Sequence, residues 1–181
     1  ITQECSFRIL SGFDMQLSIN KKINLKNDKI QKTIYENTKQ CLKFNVMPDK
    51  HVYENLSIKK YIISNNKIEA YFNREYYTDM LKSPNHYIFL SSLVNLQKMI
   101  YVLMCNHFDI KYNPYEKEKF KIWPTKTNIE MNGMIRKQKK VCQDFKIENF
   151  DEISTDKYLL KGISTSESII KITGDALVYK I

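Results

Sequence analysis

KIEAYFNREYY (67–77), TDMLKSPN (78–85) and HYIFLSSLVNLQKMIYVLMCNH (86–107) follow one another without a break. The first alternates apolar and polar residues, the second is a polar turn, and the third is an almost continuous apolar run. That run is long enough for roughly five turns of helix, and it carries one charge, Lys98, and one mid-run Asn, Asn95. A helix that is apolar nearly all round belongs in an interior. The rest of the chain reads as strands, so the expected architecture is α+β, with an antiparallel sheet wrapped around a long central helix. As a membrane span the run fails, because Lys98, Asn95 and Gln97 would sit near the bilayer centre at a cost of several kcal/mol.

Working outward, LSIKKYIIS (56–64) and KIEAYFNR (67–74) pair as a hairpin through Asn65–Asn66, and the helix starts near Asn85–His86, just after Pro84. Upstream, CSFRILSGF (5–13) and MQLSINKKINL (15–25) read as short strands or an irregular lead. Asn27 or Asp28 can cap a helix over 29–44, with Ile30, Ile34, Cys41 and Leu42 on its apolar side, ended by Pro48. Downstream, 113–124 is a charged, proline-bounded connection. The segments 126–140, 141–150, 156–164 and 168–181 then alternate with period two, as a four-stranded meander against the helix would. These elements make a single domain, with residues 1–50 as an N-terminal extension and 51–181 as the core.

At 181 residues the chain can bury roughly 70% of its unfolded surface. With 43% hydrophobic and 12% aromatic residues it is not a disordered chain. A formal charge of +9 favours an acidic partner, whether nucleic acid, an anionic membrane, a carrier protein or a phosphorylated cofactor, or else reflects a Lys-rich surface alone. The basic runs 21–29, 117–121 and 136–140 are solvated faces singly, and together could dock a carrier protein or the phosphates of coenzyme A. Cys5, Cys41, Cys105 and Cys142 are scattered, with no CxxC or Cys/His cluster, which points to free thiols in a reducing cytoplasm and not to zinc. The start at Ile1 is compatible with a fragment, and with a removed targeting segment.

No GxGxxG, Walker-type loop or GxSxG is present, and four glycines leave little material for phosphate cradles. His86, at the start of the apolar run, is placed either to polarise a carbonyl with the helix N-terminal N–H groups or simply to edge the core, and Asn85 beside it suits an N-cap. Ser91, Asn95 and Lys98 form a narrow polar stripe on the helical wheel. A buried amide needs partners, so the stripe either touches solvent or satisfies a neighbouring strand, or Asn95 lines a cavity and binds a substrate carbonyl or a water. Tyr77 ends the hairpin just before the helix.

A hairpin, a long buried helix and several antiparallel strands resemble the hotdog fold of acyl-thioesterases and hydroxyacyl-carrier-protein dehydratases. Locally the chain is similar to the type III fatty acyl-CoA thioesterases of actinobacteria over about 35 residues. Ala70-Tyr71, Tyr77, Asn85 and Asn95 match that family's motif, the last one position out of step, and Tyr53 is the nearest match to its upstream Tyr. The family's His precedes its first Asn by two positions, whereas His86 follows Asn85 here.

The resemblance implies an acyl-thioester hydrolase and disfavours a dehydratase, since no carboxylate stands between Asp79 and Asp109 for acid/base work. It implies catalysis by Tyr77, Asn85, His86 and Asn95, with Tyr53, Ser91, Lys98, Met99 and Leu103 lining the substrate site and an acyl tunnel along the helix. The substrate would be acyl-CoA or an acyl-carrier-protein, the assembly a homodimer or higher homo-oligomer, and no cofactor or metal is called for. The competing expectation is a non-catalytic basic module for nucleic acid or an acidic protein.

Overall fold

The computed structural model describes residues 3–7, 21–22, 31–80 and 85–181. Its strands are β1 (Gln3–Phe7), β2 (Lys21–Lys22), β3 (Lys32–Met47), β4 (Lys50–Ser64), β5 (Lys67–Thr78), β6 (Phe120–Met131), β7 (Val141–Ser154), β8 (Lys157–Ser166) and β9 (Ile170–Lys180). The helix is α1 (Phe89–His107), between β5 and β6. Among the described residues every strand pairing is antiparallel, and the sheet runs β1-β6-β9-β8-β7-β5-β4-β3, with β2 added beside β7.

This overturns the hotdog expectation. The sheet is a half-barrel, and the one helix among the described residues, 19 residues long, lies against it without being wrapped. α1 packs on β5, β6 and β7. It buries Asn95, Met99, Val102, Leu103 and Met104, but Leu90 is exposed and Leu93, Val94 and Leu96 are half-buried. The apolar run therefore has more apolar surface than the core takes up. The homodimer expectation rested on the hotdog fold and loses that basis.

The helix expected over 29–44 is also wrong where it can be seen: 32–47 is strand β3, paired along its length with β4. Asn27, Asp28 and Ile30 lie outside the described residues. The strand signal was disguised by polarity. Even-numbered residues from Ile34 to Phe44 turn inward and odd-numbered ones face solvent, which is period two, but three of the inward residues are Glu36, Thr38 and Gln40. Polar residues on the inner face broke the apolar alternation by which a strand is recognised.

The Asn65–Asn66 hairpin forms, with Asn65 at φ 51 as a tight turn requires. β7, β8 and β9 form a meander, but β6 does not join it through β7. It crosses to the far side and pairs with β9. Residues 132–140 make that crossing along the end of β5, where Tyr87 N–H donates to the Ile135 carbonyl at 2.8 Å and Arg74 N–H to the Gln138 carbonyl at 2.7 Å. β6 itself starts at Phe120, inside the charged connection, and carries Pro124 beside a bulge, where the missing N–H is tolerated.

Inward residues of β4 are Val52, Glu54, Leu56 and Ile58. A bulge between Ile58 and Lys60 then resets the parity so that Tyr61 and Ile63 stay on the inner face. With Ile68, Ala70 and Phe72 of β5 and the packed side of α1 they build the core.

Candidate functional site: a cleft beside the helix

The half-buried side of α1 forms one wall of a cleft of about 420 Å³. Phe89, Leu93, Leu96 and Ile100 stand on the helix side, and Ile122, Ile129, Ile172 and Ala176 of β6 and β9 stand opposite. Gly162 and Gly174 face each other in register on the floor. A Cβ on Gly174 would lie 2.2 Å from the Lys126 carbonyl oxygen and one on Gly162 2.5 Å from the Phe145 ring, so this patch admits only bare backbone. The volume lies within the range of roughly 300–1,000 Å³ common for small-molecule sites.

A second cavity of about 280 Å³ adjoins the first, sharing Val94, Gln97 and Ile122 with it. Its lining is polar: Gln40 of β3, Lys98 and Tyr101 of α1, then Tyr112, Asn113, Glu116 and Glu118. Gln97 Nε2 donates to the Ile122 carbonyl at 3.3 Å, across the boundary between the two. Behind the vestibule, Lys98 donates to Glu36 and, at 3.0 Å, to Thr38 Oγ1, while the Tyr112 hydroxyl donates to Glu36 Oε2 at 2.8 Å. Burial, reinforced by the Glu36 charge, pushes the Tyr112 phenol well above its usual range, so it stays protonated and donating.

The polar stripe of the helix does not converge on one site. Ser91 donates to the carboxylate of Glu54 on β4; Asn95 Nδ2 donates to Gln143 Oε1 on β7 at 2.9 Å; Lys98 turns to Glu36 on β3. Gln143 in turn donates to the Ser92 carbonyl and to Ser164 Oγ, both at 3.0 Å. Asn95 Oδ1 is buried with no hydrogen-bond partner, a deficit of roughly 1–3 kcal/mol.

The N-terminus of α1 is occupied from within. Glu54 and Arg74 form an ion pair whose side chains are both 0% exposed. Glu54 also accepts from Ile88 N–H at 3.4 Å and from Ser91. A carboxylate at this end of the helix complements the dipole and satisfies N–H groups that no side chain of the cap itself reaches. Asn85 is not the cap, which is Ile88 in an extended conformation; just before it the Tyr87 N–H is tied to the Ile135 carbonyl. Asn85 Oδ1 is buried without a partner, and His86 packs against Tyr76, ring centroids 6.2 Å apart.

Tyr77 and Asn95 are not brought together. Inward positions on β5 are Ile68, Ala70, Phe72 and Arg74, so Tyr77 falls on the outer face, 65% exposed, as strand alternation requires. Tyr53 is outward on β4 for the same reason and packs against Tyr77 with the rings tilted, centroids 5.9 Å apart. Met99 and Leu103 are buried in the core and line neither cavity.

Glu54, Arg74 and Gln143 escaped the sequence reading, although each occupies an inward register position within an apolar strand: Val52-Glu54-Leu56, Phe72-Arg74 and Val141-Gln143-Phe145. Parity was the signal available. Among the described residues, no group of three or more His, Cys, Asp or Glu could hold a metal, and no helix is long and apolar enough to cross a membrane. Comparison with protein-family models, curated proteins and solved structures finds no match to this chain.

Proposed function

We propose that this chain binds a single apolar chain of the acyl type in the cleft between α1 and β6–β9. One observation carries the reading: the side of α1 that the core leaves uncovered is apolar and forms the wall of a cavity of about 420 Å³. An uncovered apolar wall gains free energy, roughly 25 cal/mol per Å² of surface removed from water, when a ligand covers it. Displacement of the neutral fluorophore N-phenyl-1-naphthylamine by medium-chain amphiphiles tests this. Saturable displacement from the wild type, weakened at least about tenfold in a folded Leu93→Trp variant that fills the cleft, is the expected result. Equal binding by both proteins contradicts it.

Hydrolysis of an acyl thioester is the second reading, favoured by the buried Asn95 amide with its unpartnered Oδ1. The helix N-terminus it would use to polarise a carbonyl already faces Glu54, which is why binding ranks first. Thiol release from acyl-CoA that disappears in a folded Asn95→Ala variant would reverse that order.

A further inference from the structure

Resting on the binding reading above, we propose that the ligand is an amphiphile whose head donates hydrogen bonds and is not anionic, a hydroxyl or ammonium group seated in the vestibule beside Gln40.

The two cavities meet at Val94, Gln97 and Ile122, so a chain lying in the apolar one can place its end in the polar one. What that end meets is a surplus of acceptors. Gln40 Oε1 is buried and has no hydrogen-bond partner, and a buried acceptor left unsatisfied is a standing cost that a donor removes. Four of the neighbouring donor groups are already engaged: Tyr112 on Glu36, Asn113 Nδ2 on Glu116 at 2.9 Å, Gln97 Nε2 on the Ile122 carbonyl, and Lys98 on Glu36 and Thr38. The charge balance points the same way. Among the described residues Lys98 is the one cation of the lining; Glu116 and Glu118 stand with it, and Glu36 neutralises it from behind. In a chain of net charge +9 this is a local reversal of sign, and it opposes a carboxylate or phosphate head.

Decanol, decylamine and decanoate share one chain length and differ in the head, and each can be titrated against N-phenyl-1-naphthylamine at neutral pH. The expected result is that decanol and decylamine bind about tenfold tighter than decanoate, the worth of one hydrogen bond to a buried acceptor. Gln40→Leu should abolish the preference for decanol, and Glu116→Gln with Glu118→Gln, which sit on an exposed connection, should reduce the preference for decylamine. Decanoate binding as tightly as decanol, or a preference unchanged in both variants, overturns the head assignment and leaves chain binding standing. Failure of all three to displace the fluorophore overturns both.

Discussion

The two sides of α1 are made of the same residue types and do opposite things. Met99, Val102, Leu103 and Met104 are buried against the sheet, while Leu90, Leu93, Val94 and Leu96 stay partly open and wall the cleft. The packed side holds the fold together, and the open side is left partly uncovered. Apolarity all round a helix therefore has two physical explanations, complete enclosure or partial enclosure with a cleft, and hydrophobic periodicity does not separate them.

The sharpest test of the packed side is at the start of the helix. Arg74→Ala strands the buried Glu54 carboxylate and should cost about 3–5 kcal/mol, read as a lowered urea midpoint, whereas the double variant Glu54→Gln/Arg74→Met should recover most of it. Next, Leu103→Ala should cost about 2–5 kcal/mol by opening a cavity in the core. Leu93→Ala, about one turn into the helix on its open side, should cost less than about 1 kcal/mol in stability yet weaken fluorophore binding severalfold. Equal stability losses at 93 and 103 would erase the distinction between the sides.

Thiol chemistry reports the same contrast more gently. Cys105 lies on the packed side, where burial pushes its thiol up, and burial does the same at Cys142, while Cys41 is exposed on β3. Iodoacetamide at pH 8, followed by peptide mapping, should modify Cys41 well before Cys105 or Cys142. Smallest of all is the surface pair Lys67–Glu69 on β5, far from both sides. The Lys67 hydrogen bond holds the Glu69 carboxyl below its ordinary 4.5. A lowered carboxylate contributes stability above its unfolded value and loses it as pH falls through the folded one. Glu69→Gln should thus cost under about 1 kcal/mol at pH 7, given its partial exposure, and the difference should fade below pH 4.5.

How far the sequence was legible follows from which residues face inward. The helix, read over 86–107 and found over 89–107, is legible because its apolar run is long and nearly unbroken, and the Asn65–Asn66 hairpin because its strands alternate around a turn dipeptide. β3 was hidden because Glu36, Thr38 and Gln40 occupy its inner face. The β6–β9 pairing joins residues some fifty positions apart, and no local pattern encodes it. For the site, Ser91, Asn95 and Lys98 were rightly singled out as polar positions on an apolar helix, but their partners Glu54, Gln143 and Glu36 come from three different strands. Sequence spacing on one helix cannot show that a stripe diverges. The cleft was invisible for a simpler reason: its wall is apolar, and apolar residues were assigned to the core.

Methyl-detected NMR of the Leu-, Val- and Ile-labelled chain, titrated with decanol, tests the central contrast most directly. Binding in the cleft predicts shifts confined to the methyls that line it, Leu93, Val94, Leu96 and Ile100 on the helix and Ile122, Ile129 and Ile172 opposite, with Val102 and Leu103 unmoved. Shifts spread equally over both sides, or none at saturating decanol, would contradict it.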